Sequence, residues 1–209
     1  DSELVRLPKA AFDKLTNKHA SLMRELSKMM LSRIRAGESY RRSEPRVFAL
    51  ISTSPTIDLE YRSQLLRDAL KEMGVSSVAC GLECADWPGP KLDKLEAEHD
   101  IVILQARLGD TNWARRAMAR ADRIWMMARA DARPSIPLMP EDPSPAAKLK
   151  LIDVVMVHNE GVRRAANPSE WIAAADAARC FHWRQQNASD VRHMARTMSG
   201  KSVGLVLSG

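Results

Sequence analysis

The segment Ser52-Thr53-Ser54-Pro55-Thr56-Ile57-Asp58 follows the apolar run Val47-Phe48-Ala49-Leu50-Ile51, and so stands where a phosphate-binding loop stands in an open α/β sheet. Such a loop needs glycines, so that backbone N–H groups can close on phosphate, together with a lysine and a hydroxyl at its end. Here there is no glycine and no Gly-Lys-Ser/Thr, and Pro55 removes a donor. A second part is missing as well. The run Ile101-Val102-Ile103-Leu104 takes the place of a metal-binding acidic strand, but Gln105 follows it, and Asp100 lies before it, on the wrong side. Nucleotide hydrolysis is therefore not expected, and no cofactor is.

Nucleophilic catalysis finds no better footing. There is no G-x-S-x-G elbow, and His99, His158, His182 and His193 fall at expected strand edges or helix surfaces with no motif to frame them, which predicts structural or solvent-facing roles. Cys80 and Cys84 have zinc-like spacing, but a four-ligand site needs two more partners, and Cys180 with His182 is the other candidate pair. Three cysteines in a long chain argue against a disulfide framework, so the expectation is buried structural thiols and no metal. Ser208-Gly209 differs, because a strand ending in small residues can open onto a glycine-rich turn whose N–H groups stabilise an oxyanion.

The elements that would position these residues alternate. Val47 to Ile51 is a short continuous apolar run of the kind found in parallel strands buried on both faces. Asp58 predicts the cap of a helix to Met73, with Leu59, Leu65, Leu66, Leu70 and Met73 inward and Gly74 as its stop. Further strands are expected over 75–80, 101–104, 123–128, 152–157 and 179–183, with helices over 92–98, 111–121 and 168–178, the last with Trp171 inward. Residues 133–145 are Pro-rich and predict an exposed loop. Asn187 caps a closing helix with Val191, Met194, Ala195 and Met198 on one face, ended by Gly200, and a last strand begins at Ser202. The fold class is α/β, a mostly parallel, doubly wound sheet with helices on both faces.

Before this unit, Leu22, Met23, Leu26, Met29, Met30 and Ile34 recur at three- and four-residue spacing as one face of a long helix, predicted to pack on a neighbouring domain. The polar, basic stretch 37–45 reads as a linker. The chain has 209 residues, 45% apolar and 28% charged, near globular averages. Its formal charge of +6 is spread along the chain among many acids, so no nucleic-acid partner is expected. The basic linker leaves an anionic membrane surface as a candidate contact. No stretch reaches the roughly 18 consecutive apolar residues that span a bilayer, and no signal pattern opens the chain, so a cytoplasmic setting is expected. The start at Asp1, inside a strand-like run, and the stop at Gly209, after Val203-Gly204-Leu205-Val206-Leu207, read as cuts through neighbouring domains.

Gly200-Lys201-Ser202-Val203-Gly204-Leu205-Val206-Leu207-Ser208-Gly209 resembles the entry to a patatin-like phospholipase domain, in which such a strand runs into a Gly-Gly-Gly-x-Arg-Gly oxyanion loop. Gly209 would be the first of those glycines. The preceding 190–198 resembles the helix leading into that strand in bacterial relatives of neuropathy target esterase. Residues 1 to about 35 resemble the last strand and C-terminal helices of a cyclic-nucleotide-binding β-roll, and 46 to about 183 is similar to the degenerate P-loop-like, Rossmann-like middle domain of that family.

The resemblance implies four parts. These are a helical piece of a cyclic-nucleotide-binding-like domain over 1–36, a linker over 37–45, a P-loop-like domain without its phosphate motif over 46–184, and a helix and first strand of a catalytic domain over 185–209. It implies a serine (lyso)phospholipase whose Ser-Asp dyad lies beyond Gly209, with the present chain as a non-catalytic spacer or regulatory region between sensor and hydrolase. The partners implied are those two domains, and the setting is cytoplasmic with room for peripheral contact at the inner membrane. The alternative is a nucleotide-binding switch with an atypical phosphate loop.

Overall fold

The computed structural model describes residues 45–109, 111–135, 138 and 151–202. The chain separates into two units at Glu44 and Pro45. The expected N-terminal helical piece, most of the linker and of the Pro-rich loop, and the strand ending at Gly209 lie outside the described residues.

Six strands form one all-parallel sheet: β1 (Val47–Ser52), β2 (Ser77–Cys80), β3 (Ile101–Arg107), β4 (Arg123–Arg129), β5 (Leu151–His158) and β6 (Arg179–Arg184). Their order is β2-β3-β1-β4-β5-β6. β1 is central and buried at all six positions, as its unbroken apolar run requires.

Among the described residues five α-helices cover the two faces. α1 (Leu59–Glu72) and α5 (Ala188–Met198) share one face, where Leu66, Leu70, Met194 and Ala195 pack on Phe48, Leu50 and Trp125. α2 (Gly89–Glu98), α3 (Thr111–Arg120) and α4 (Ser169–Ala175) share the other, where Leu92, Trp113, Ala117 and Trp171 pack on Val47, Ala49 and Ile51. Among the described residues no helix is long and apolar enough to cross a membrane.

Local chemistry sets the boundaries. Asp58 accepts from the Tyr61 N–H at 2.9 Å and caps α1. Gly74, at φ +71°, ends it, and the Val75 N–H bonds the Leu70 carbonyl, so Val75 belongs to this turn and β2 starts two residues later than expected. α2 starts earlier than expected, at Gly89, because a proline in the first turn sacrifices no helical hydrogen bond. β3 runs beyond Leu104 to Arg107 because β1 continues to pair with it up to Ser52. α4 stops at Asp176, which turns left-handed at φ +48°, and the Ala178 N–H then joins the Ile152 carbonyl to start β6. Asn187 caps α5 by accepting from the Asp190 N–H.

The amino ends of the strands are locked by polar pairs. Asp122 accepts from the N–H groups of Arg46 and Val47, both at 2.9 Å, and Arg46 donates to the carbonyls of Glu96, His99 and Asp100. Asp153, fully buried in β5, accepts from Arg123, Arg179 and the Trp125 indole. Burial raises the Asp153 carboxyl, but hydrogen bonds and charge from Arg123 and Arg179 outweigh it and hold the group below the ordinary carboxylate range.

Candidate functional site

β1 and β3 are neighbours whose following helices leave to opposite faces, α1 to one and α3 to the other. This is the switch point at which α/β sheets bind ligands, outside the carboxyl ends of the strands. The loop Ser52 to Asp58 lies at this point, and its donors bond within the loop and to the neighbouring strand β4. The Thr53 N–H and hydroxyl both donate to the Met127 carbonyl, at 3.0 and 3.1 Å. The Ser54 N–H reaches Ser52 Oγ, the Thr56 N–H reaches Ser54 Oγ, and the Ile57 N–H reaches the Ser54 carbonyl. Pro55 has no N–H to give. The N–H groups of Thr53, Ser54, Thr56 and Ile57 are thus committed within the protein. Asp58 completes the exclusion, since its carboxylate occupies the positive end of α1 that an anionic ligand would use.

The other expected part is also placed. Gln105, partly buried, stands in β3 beside Leu50 of β1, where an acid would be needed to hold a metal. It lines a polar hollow of about 230 Å³ with Glu60, Ser63, Gln64, Arg67 and Glu83, between α1 and the ends of β2 and β3.

The cysteine expectation is corrected. Cys80 and Cys84 form a disulfide. The 3-10 turn Leu82–Cys84 folds the chain back so that their Cα atoms are 6.0 Å apart, within reach of a bridge. Counting cysteines speaks to frameworks that staple distant segments and misses a bridge closed within one turn. With Glu83 the two sulfurs form a cluster of metal-ligating atoms within 4.8 Å of one another, but sulfurs bonded to each other are not thiolate ligands. The four-ligand set with Cys180 and His182 does not assemble, because β2 and β6 are opposite edges of the sheet. Cys180 is pushed up to about 11 by burial and by the nearby Asp153 charge, which leaves it a thiol at neutral pH.

The histidines divide. His193 is exposed on α5, and His99 bonds the Leu95 carbonyl through Nδ1. His158 and His182 instead come together, a contact that the expectation of structural or solvent-facing roles did not include. They leave β5 and β6 toward the same face, and His158 Nε2 lies 2.8 Å from His182 Nδ1. His158 is only 3% exposed. Burial first, then neighbouring charge at His158, lowers both imidazoles, so the pair is neutral at pH 7. The sequence hides this pairing because it depends on which strand follows β5 in space.

Residues 82–201 match the model of the Neuropathy Target Esterase family P-loop like domain, which is more than half of the chain. The chain belongs to the neuropathy target esterase family. It is similar to the lysophospholipase NTE1 of Chaetomium globosum, 25% identical over 173 residues that make up 65% of this chain and 11% of that protein. It is also similar to the lysophospholipase NTE1 of Candida albicans, 23% identical over 207 residues, 82% of this chain and 15% of that protein. The chain thus spans a small part of the curated relatives it matches. No solved structure matches it. The matched domain takes in the Asp153 cluster and the histidine pair, whereas the closed loop after β1 precedes it. Gly209, the expected first glycine of an oxyanion loop, lies outside the described residues.

Proposed function

We propose that this α/β unit is a non-catalytic spacer or regulatory region of a longer patatin-like serine hydrolase that acts on phospholipid or lysophospholipid. The observation that carries the reading is the loop after β1: the N–H groups of Thr53, Ser54, Thr56 and Ile57 are bonded within the protein, and the Asp58 carboxylate caps the helix end. A domain with its ligand position filled by its own side chains has a role in holding and orienting neighbours, not in turning over nucleotide. The NTE1 relatives carry the name lysophospholipase, and that name supports lipid hydrolysis by the whole protein.

In this reading residues 1–36 belong to a cyclic-nucleotide-binding-like sensor and 185–209 lead into the hydrolase, in a bacterial protein at the cytoplasmic side of the membrane. The sequence of the last ten residues supports the second junction, with Gly209 opening the oxyanion loop. The test is the parent sequence and its activity. Gly-Gly-x-Arg-Gly should follow Gly209, a G-x-S-x-G elbow should come some tens of residues later, and the parent should release fatty acid from lysophosphatidylcholine while the 209-residue chain does not. A parent without these motifs, or hydrolysis by the 209-residue chain itself, would overturn the proposal.

A further inference from the structure

The switch point is closed, but the same end of the sheet carries a second depression two strands away. It lies where β5 and β6 end, has a volume of about 200 Å³, and is lined by His158, Arg163, Arg164, His182, Arg184 and Asp190 together with two apolar residues of the loop after β5. That volume is below the roughly 300–1,000 Å³ of sites for drug-sized ligands, so its occupant is a small ion or a head group.

The lining carries three guanidinium groups against one carboxylate. Asp190 is committed to Arg184, accepting from its Nε at 2.9 Å and its Nη2 at 2.8 Å, and also from its N–H. Arg163 and Arg164 have no hydrogen bond or ion pair among the described residues. Two positive charges are thus left on the exposed side of the hollow. On its inner side stands the histidine pair. With Nδ1 of His182 engaged by His158, the ring nitrogen left on His182 is Nε2. When His158 donates, Nε2 of the neutral His182 carries the hydrogen and is a second kind of donor.

We propose that this depression binds a phosphate monoester, with Arg163 and Arg164 as the cationic clamp and His182, oriented by the buried His158, as the inner hydrogen-bond donor. Arginine is suited to the task because its planar fork meets two phosphate oxygens at once. A head group of an anionic lipid and a small soluble phosphate offer the same chemistry. The site does not depend on the spacer reading, since a domain with any role in the parent would present the same lining.

The experiment is a titration of the 209-residue chain with inorganic phosphate, followed by the imidazole 1H–15N signals of His158 and His182 and by calorimetry. The expected result is saturable binding that moves the His182 signals and is weakened at least tenfold in the exposed-loop variant Arg163→Ala/Arg164→Ala. His182→Gln, which removes the inner donor geometry, is expected to weaken binding severalfold. A second arm uses vesicles of phosphatidylcholine with and without phosphatidic acid. Binding to the phosphatidic acid vesicles, competed by inorganic phosphate and lost in the double variant, identifies a lipid head group as the source. Phosphate binding without vesicle binding identifies a soluble ligand, and either outcome supports the site. Absence of saturable phosphate binding, or equal binding by a folded double variant, overturns it.

Discussion

The two ends of the one parallel sheet are built on opposite plans. At the amino ends every charged group that enters the sheet is answered: Asp153 by Arg123 and Arg179, and Arg46 by three carbonyls, while Asp122 accepts two backbone N–H groups. At the carboxyl ends the loop after β1 is answered by its own groups and by the Met127 carbonyl of β4, and the loop after β5 leaves Arg163 and Arg164 lining a hollow with no partner among the described residues. The amino end is organised for stability. At the carboxyl end, the donors of the loop after β1 are bonded within the protein, and the arginines without a partner among the described residues lie toward the β6 edge of the sheet.

The largest expected effect lies at the amino end. Asp153→Ala leaves two arginines without their buried partner and should cost about 3–5 kcal/mol in urea unfolding, the range for breaking a buried ion pair. The same carboxyl is held below its ordinary range in the folded protein, so its contribution is present at neutral pH. That contribution should fall away as pH drops below about 4, toward the folded value. An Asp153→Ala variant should accordingly show a flatter loss of stability between pH 5 and acid than the parent chain.

Smaller effects are expected at the carboxyl end. Reduction of the Cys80–Cys84 bridge, which closes a five-residue loop, should lower stability by about 2 kcal/mol in the chain-entropy description, read as a shift in the urea midpoint with and without dithiothreitol. Asp58→Ala should cost about 1 kcal/mol through loss of the α1 cap. It should still not create nucleotide affinity, because Thr53, Ser54 and Ile57 keep their N–H groups bonded. Arg163→Ala/Arg164→Ala should move stability by no more than about 0.5 kcal/mol, since neither side chain has a partner among the described residues. A large loss there would erase the contrast between the ends.

Much of this was legible before any coordinates. The apolar runs of β1, β3, β4 and β5 announced buried parallel strands, and Asp58, Gly74, Asn187 and Gly200 marked helix ends because capping is local chemistry. The lack of glycine and lysine after β1 led to the expectation that nucleotide is not hydrolysed there, and the hydrogen bonds show where that loop's N–H groups go. What stayed hidden depends on strand neighbours. Asp153 lies within the expected strand 152–157, and its role shows only when the register sets it between Trp125 and Arg179. His158 and His182 read as structural or solvent-facing, and their contact shows only when β6 is laid beside β5. The Cys80–Cys84 bridge needed the conformation of a single turn, which spacing alone leaves open.

The most direct test of the closed loop is a calorimetric titration of the 209-residue chain with ATP and with GTP in the presence of magnesium. The account expects no saturable, magnesium-dependent heat for either nucleotide. Tight magnesium-dependent binding that is lost on substitution in the Ser52 to Asp58 loop would contradict it, and would make this domain a nucleotide switch instead of a spacer.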